Sequence, residues 1–256
     1  MLRRIEIIAE CGVNWYNVRE AKILINEAKA NGADAVKFQA YSVESLFPNH
    51  KICDRKDWWE NVKSIELTQE TICELATYAH NVGIEWMCSA FDTERLSWVD
   101  KWVKRHKVGF RANKNRELID AMIATNKRIL LSVNCGTFEG IGAQEGKYFY
   151  SPAPYGWTHP QYDLLYCVPE YPTPLVRLRL PHSFYSSSSR IGYAGFSDHT
   201  EGIWASVVAM SRGTRIIEKH FTLDKNSKLG PDHICSIESP ELKELVNWAR
   251  KIEEML

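Results

Sequence analysis

The 256-residue sequence has no formal net charge, with 32 basic and 32 acidic side chains, and 45% of its residues are hydrophobic. This balance argues against a nucleic-acid partner or an anionic membrane surface. The sequence has no apolar run of about 18 residues, so we expect no transmembrane helix, and its first apolar stretch is too short for a signal peptide. The seven cysteines lack CxxC spacing, which predicts reduced thiols and a cytoplasmic protein.

The first half of the chain alternates predicted strands with predicted helices. Apolar residues at helical spacing mark a buried face on the first helix, whereas residues 41–66 are predicted to be a long polar connection. The predicted strands of this half are residues 5–9, 35–38, 84–88, 106–108 and 128–133. The predicted helices are residues 18–31, a helix capped by Thr68 that runs to Val82, a helix capped by Thr93 that runs to Lys104, and residues 116–126.

Residues 134–162 interrupt this alternation. They are rich in glycine, proline and aromatic residues, and we interpret them as an irregular insertion that replaces a barrel helix. After them we predict strands at 163–168, 191–194 and 214–217, and helices at 202–212 and 240–256.

Eight strands, each followed by its own crossover, match a single-domain (β/α)8 TIM barrel that spans residues 1–256. A doubly wound sheet is the alternative fold, because it also alternates strands and helices. Such a sheet usually carries a GxGxxG turn after its first strand, and the turn that follows Glu10 lacks one.

Two histidines stand at the ends of the last two predicted strands. His199 lies in GFSDHT at 195–200 and His220 in IEKHFT at 217–222. Because parallel strands of a barrel end at one mouth, we expect the two imidazoles to share a site. With Glu218 they offer nitrogen and oxygen ligands for a catalytic divalent metal ion. The alternative is that each histidine caps a helix or fills a polar gap.

Lysines and serines at other strand ends predict an anion site. Lys37 and Lys107 come from different strands, and a lysine inside a barrel needs an anionic partner. Lys37 and Gln39 are two residues apart and therefore face the same side. Three hydroxyls complete a set that suits a phosphate, or a phosphate with a carboxylate: Ser89, Ser132 and Ser197. Glu10 is placed either to hold the metal ion through a water or to act as a base. Ordinary strand-end ion pairs are the alternative for each lysine.

At these residues the chain resembles the sialic acid synthase family, the N-acetylneuraminate synthases. The resemblance covers about residues 5–250. The matching strings are IAECGVN at 8–14, GADAVKFQ at 32–39, KVG at 107–109, YPTP at 171–174, FSDHTEG at 196–202, EKHFT at 218–222 and GPDH at 230–233.

The resemblance implies a TIM-barrel transferase that condenses phosphoenolpyruvate with an N-acylated amino-sugar aldehyde, typically N-acetylmannosamine, and releases phosphate. By position, His199 and His220 would hold manganese, with magnesium or cobalt as alternatives, while Glu10 and Glu218 would lie near the metal-bound water. The phosphoenolpyruvate would contact Lys37, Lys107, Ser89, Ser132 and Ser197, and the sugar would contact Gln39, Tyr171 and Asp232. The resemblance leaves a homodimer open.

The sequence departs from the family at several places. Phe110 replaces a small hydroxyl residue, Ala112 replaces a frequent sugar-binding glutamate, and Pro169 replaces a polar contact residue. The sequence also stops at Leu256, before the antifreeze-like domain that usually follows the barrel and lends an arginine to the partner's sugar site.

These departures keep two other functions open. One is a non-catalytic barrel that binds a sugar or an anion and regulates a partner. The other is a related synthase with a different acceptor, such as a phosphorylated sugar, which needs further basic residues around the acceptor. Arg111 and Lys114 are the basic residues that the sequence offers there.

Overall fold

The computed structural model describes residues 4–46, 56–134, 159–184, 192–228 and 230–255. Eight parallel strands close into a barrel in sequence order, and helices surround it, so the predicted TIM barrel is confirmed. The strands are β1 (Glu6–Gly12), β2 (Ala35–Ala40), β3 (Glu85–Ala90), β4 (Arg105–Val108), β5 (Arg128–Val133), β6 (Tyr162–Cys167), β7 (Gly195–Asp198) and β8 (Ile216–His220).

The helices begin and end largely where local sequence signals place them. The side chain of Asn17 caps the first helix, and Thr68 caps the fourth, which ends at Gly83 in the left-handed conformation. No helix in the described residues is long and apolar enough to cross a membrane. The helices are α1 (Val18–Ala30), α2 (Val43–Leu46), α3 (Lys56–Ser64), α4 (Gln69–Val82), α5 (Thr93–Val99), α6 (Arg116–Ala124), α7 (Trp204–Ser211) and α8 (Ser239–Met255).

The connection between β2 and α4 was predicted to be long and polar, and the two helices in it were not predicted. It contains α2 and α3. Val43 and Val62 are buried in the main hydrophobic core, and the Tyr41 hydroxyl donates to the Val62 carbonyl at 2.8 Å. A few apolar side chains therefore anchor the described parts of this connection to the core, although most residues of the connection are polar.

The fifth helix begins one residue earlier than predicted and is shorter. Asp92, not Thr93, is its N-cap, and its carboxylate accepts from the Arg95 backbone amide at 2.7 Å. The helix ends at Val99, and a turn of 3-10 helix follows over Asp100–Trp102.

The seventh strand was predicted at residues 191–194, but it is formed by Gly195–Asp198. A glycine normally weakens a strand, yet here it lets two strands approach closely. A Cβ atom on Gly195 would lie 2.7 Å from the Ile216 carbonyl oxygen of β8. Ser197 and Asp198 are consequently strand residues, and β8 likewise extends as far as His220. The predicted insertion falls mainly on residues 135–158, which lie outside the described residues.

The barrel interior contains an apolar layer of buried residues: Ile8, Ala35, Met87, Leu130, Leu165, Ala194 and Ile216. Side chains alternate faces along a strand, so the residue two positions later also faces inward. Two residues beyond members of this layer stand Glu10, Lys37, Ser89, Ser132, Cys167 and Glu218. The apolar layer therefore supports a polar layer at the carboxyl ends of the strands, the position where TIM barrels carry their sites.

Candidate active site

One cavity of about 600 Å³ opens at the carboxyl ends of the strands. All the site residues that the sequence predicted line it: Glu10, Lys37, Gln39, Ser89, Lys107, Ser132, Tyr171, Ser197, His199, Glu218, His220 and Asp232. The fold thus brings residues from seven strands and three of the connections that follow strands together, while the role of each remains a prediction.

Glu218 lies at the centre of the cavity floor. Its Oε1 lies 3.4 Å from Lys107 Nζ and accepts from the Ser197 hydroxyl at 2.5 Å, while its Oε2 lies 3.7 Å from Lys37 Nζ. Burial alone would raise the pKa of Glu218, but the two ammonium groups and the hydroxyl lower that pKa to about 2. Glu218 is therefore a fixed negative charge that the two lysines share.

Glu10 occupies a different electrostatic position on the same floor. Its Oε2 lies 2.6 Å from Lys37 Nζ, and its Oε1 accepts from the Gln39 amide at 2.6 Å. Burial, together with the negative charge of Glu218, raises the pKa of Glu10 more than Lys37 and Gln39 lower it. Two neighbouring carboxylates with shifts in opposite directions are typical of an acid–base site.

Each lysine on the floor is paired with a serine from the next strand. Lys37 Nζ donates to the Ser89 hydroxyl at 3.1 Å, and Lys107 Nζ donates to the Ser132 hydroxyl at 2.9 Å. Burial lowers the pKa of Lys107, whereas the carboxylates of Glu10 and Glu218 overcome burial and raise the pKa of Lys37. The floor therefore offers ammonium and hydroxyl donors to an anion.

The two histidines lie side by side, with ring centroids 5.4 Å apart. His199 Nδ1 lies 2.8 Å from the Val168 carbonyl oxygen, so that Nδ1 carries the proton and Nε2 keeps its lone pair. Burial lowers the pKa of His199 to about 4 and the pKa of His220 well below its usual range. Both imidazoles are therefore neutral near pH 7, the form that binds metal ions.

Tyr171 and Asp232 border the histidine pair. The Tyr171 ring stacks on His199 at 4.0 Å and meets His220 edge-on at 5.7 Å. Asp232 Oδ2 lies 3.6 Å from His220 Nδ1. Burial and the charge of Glu10 raise the pKa of Asp232 to about 7. These two residues make one wall of the cavity part aromatic and part acidic.

The histidine pair fits a metal ion with few protein ligands. The buried His220 Nδ1 has no hydrogen-bond partner within the described part of the chain, so its lone pair is available to a metal ion. Among those same residues no group of three or more His, Cys, Asp or Glu side chains is arranged to hold a metal ion. Two imidazoles would leave several coordination positions open, as catalytic metal sites require.

Several lining residues were not predicted as site residues. Cys167 lies in the polar layer with its Sγ 3.9 Å from His199 Nδ1, and its alternation with Leu165 was a usable signal. Lys225 and Lys228 line the cavity from the loop that follows β8. These two lysines carry no spacing signal in the sequence, since neither lies in a helix or a strand.

Comparison with known proteins agrees with the geometry. Residues 24–256 match the model of the NeuB family. The chain is 31% identical to the N,N'-diacetyllegionaminic acid synthase of Legionella pneumophila, over 98% of this chain and 72% of that protein. It is 30% identical to the human N-acetylneuraminate-9-phosphate synthase, over 98% of this chain and 70% of that protein.

A solved structure supports the fold. The N-acetylneuraminic acid (sialic acid) synthetase of Leptospira borgpetersenii in complex with citrate superposes with a TM-score of 0.81, at 24% identity, over 99% of this chain and 85% of that one. The family model and the two curated synthases extend this agreement from fold to family. The chain therefore belongs to the NeuB family, and it is a condensing enzyme of the transferase type.

Proposed function

We propose that this enzyme condenses phosphoenolpyruvate with an amino-sugar aldehyde of the N-acetylmannosamine type to give a nonulosonic acid and phosphate. The observation that carries the proposal is the buried floor, where Lys37 and Lys107 each pair with a serine hydroxyl beside two neutral histidines. An enol-phosphate needs ammonium and hydroxyl donors, and an aldehyde needs a neighbouring electrophilic group.

The floor is suited to a phosphate because its lysines cannot leave it. Lys37 and Lys107 are 2% and 1% exposed, and their hydrogen bonds fix both ammonium groups in place. Donors that are fixed before the ligand arrives need no reorganisation when it binds. Ser89, Ser132 and Ser197 would donate, together with the two lysines, to the phosphate and carboxylate oxygens of phosphoenolpyruvate.

The proposed reaction balances as phosphoenolpyruvate plus aldose plus water giving the nine-carbon 2-keto acid plus phosphate. The π electrons between C2 and C3 of the enol-phosphate form a bond from C3 to the aldehyde carbon, and the aldehyde oxygen takes a proton from solvent. Water adds at C2 and gives up a proton to Glu10, whose raised pKa suits a base. Phosphate then leaves with the oxygen that joined it to C2 and takes the proton of the new C2 hydroxyl, so that a ketone remains.

The two histidines would hold a divalent metal ion, with manganese as the proposed ion. When bound, such an ion polarises the aldehyde carbonyl as a Lewis acid. Gln39, Tyr171 and Asp232 would contact the sugar and orient it over the enol-phosphate. Orientation of two reactants of this kind lowers barriers by up to roughly 7–11 kcal/mol in ideal cases.

A phosphorylated aldose is a second candidate acceptor, and one observation favours it. Arg111, Lys225 and Lys228 line the outer part of the same cavity, and Arg111 interacts electrostatically with Asp232. These are the further basic residues that an acceptor phosphate requires. The curated human relative is named for a phosphorylated product.

A coupled assay of phosphate release tests the proposal. The purified chain is incubated with phosphoenolpyruvate, Mn²⁺ and a panel of free and 6-phosphorylated N-acylated aldoses. Release that depends on the aldose supports the synthase, and a preference for the phosphorylated member identifies the second acceptor class. A folded, manganese-loaded protein that releases no phosphate with any aldose would be the non-catalytic barrel instead.

A further inference from the structure

We propose that Lys219, which lies on the outer face of β8, is a positioning residue that holds His199 in the orientation needed to bind a metal ion. The inference rests on the proposed role of His199 and His220. Lys219 is absent from the cavity lining, so its effect on the site would be indirect.

Lys219 is fully buried and reaches both neighbours of His199. Its Nζ lies 3.5 Å from Asp198 Oδ1 and donates to the Thr200 carbonyl oxygen. Lys219 and Asp198 are both 0% exposed. One ammonium group therefore grips the chain on each side of the histidine.

The Asp198 carboxylate also holds the turn between β7 and α7 in place through hydrogen bonds. Its Oδ1 accepts from the backbone amide and the hydroxyl of Thr200, each at 2.8 Å. Its Oδ2 accepts from the Ser206 hydroxyl of α7 at 2.6 Å. The carboxylate thus fastens the turn to the helix behind it, and Lys219 compensates its negative charge.

Backbone and ring contacts complete the restraint on His199. Its carbonyl oxygen accepts from the Thr173 amide at 2.8 Å, and its Nδ1 donates to the Val168 carbonyl oxygen at 2.8 Å. The second contact selects the tautomer that leaves Nε2 with its lone pair. It forms only while the clamped turn keeps the ring next to the end of β6.

Lys219 also connects the two histidines mechanically. It lies between Glu218 and His220 on β8, and these two side chains face the cavity on the opposite side of the strand. Strand β8 therefore carries His220, one proposed metal ligand, and its Lys219 restrains His199, the other. Partners of metal-binding histidines usually affect affinity by 10–100-fold.

Lys219→Met tests this role, with Arg105→Met as the matched control. Arg105 forms ion pairs with Glu6 and Glu85 at the amino ends of the strands, away from the cavity, so its loss destabilises the barrel without touching the turn. We measure thermal unfolding, the imidazole nitrogen NMR signals of the metal-free protein and the Kd for Mn²⁺.

Both variants are expected to unfold at lower temperature. Only Lys219→Met is expected to change the Nδ1–H tautomer signal of His199 and to weaken Mn²⁺ binding about 10–100-fold. Unchanged His199 signals and an unchanged Mn²⁺ Kd in folded Lys219→Met would overturn the proposal. If that variant does not fold, Ser206→Ala decides the question, because it removes one bond of the same clamp and is expected to shift the same two readouts by less.

The two readouts separate this inference from the proposed function. Wild-type protein that fails to bind Mn²⁺ would contradict the proposed metal site. The His199 signals of the metal-free protein would still report whether Lys219 orients the ring.

Discussion

Lys107 Nζ and Glu218 Oε1 lie 3.4 Å apart although their strands, β4 and β8, stand on opposite sides of the closed barrel. The contact therefore crosses the barrel interior directly above the apolar layer. Lys37 joins it from β2 at 3.7 Å, so that one carboxylate serves two ammonium groups. Charges in such an arrangement depend on one another, and the removal of any of them has consequences for both stability and ligand binding.

Glu218→Gln is expected to destabilise the protein by about 3 kcal/mol, because it leaves two buried ammonium groups with less compensation. The same loss of negative charge is expected to tighten the binding of inorganic phosphate about tenfold. Phosphate release from phosphoenolpyruvate is expected to fall by more than about 100-fold. Urea unfolding, calorimetric titration with phosphate and the coupled assay measure these three effects. Unaltered phosphate affinity would show that the anion does not bind beside Glu218.

Lys107→Met is expected to weaken phosphoenolpyruvate binding, since it removes a charged donor from the proposed phosphate seat. A hydrogen bond to a charged group contributes about 1.5–3 kcal/mol, which corresponds to a Kd about 10–100-fold higher. Lys101→Met, at an exposed lysine after α5, is the control and should leave the Kd unchanged. Equal affinities for the two variants would place the phosphate elsewhere.

Gly195→Ala is expected to destabilise the barrel by about 1–3 kcal/mol, the usual range for overpacking. The new Cβ would lie 2.7 Å from the Ile216 carbonyl oxygen and 2.8 Å from the Ile216 Cβ, so β7 and β8 would have to separate. Gly109→Ala is the matched control, because a Cβ on Gly109 has no heavy atom within 4 Å among the described residues. Urea unfolding of the two variants compares them, and equal stabilities would refute the close approach of β7 and β8.

His106 makes stability depend on pH. Burial, with a smaller contribution from Lys127, lowers the pKa of His106 from 6.5 to about 4 against the opposing effect of Asp100. The unfolded chain binds a proton between these values and the folded chain does not, so this contribution is complete above pH 6.5 and is lost as the pH falls toward 4.

His106→Gln removes this titration and is expected to reduce the loss of stability between pH 7 and pH 5 by about 2 kcal/mol. Urea unfolding at the two pH values measures the difference. His80→Gln, at an exposed position near the end of α4, is the control. A pH profile of His106→Gln that parallels the wild type would contradict the buried, neutral state of His106.

Much of the barrel could be predicted from the sequence because its signals are local. Helix α4 is an example, since Thr68 and Gly83 cap it at both ends as their residue types predict. The inward positions of Lys37 and Gln39 followed from strand alternation alone. Their inclusion in one cavity depended on the convergence of parallel strands, a property of the fold class.

The features that the sequence did not reveal depend on contacts between distant segments. Glycine is typical of turns, so the sequence offered no reason to place Gly195 in a strand. Only the close approach of Ile216 on β8 explains why a glycine lies there. Lys219 could have been recognised from the sequence. It lies between two inward-facing residues of a strand, so its side chain points toward the surrounding helices, where a buried lysine needs an anionic partner. That partner, Asp198, is identified only when β7 and β8 are paired.

Mass spectrometry of the reaction product tests the central claim most directly. Phosphoenolpyruvate, Mn²⁺ and the aldose that supports phosphate release are incubated with the wild-type enzyme, and the masses of the organic products are measured. We predict a single acid with the mass of the two substrates plus water minus phosphoric acid, with no pyruvate. Phosphate release accompanied by pyruvate and unchanged aldose would contradict the account, because it would make the cavity a site of hydrolysis and not of carbon–carbon bond formation.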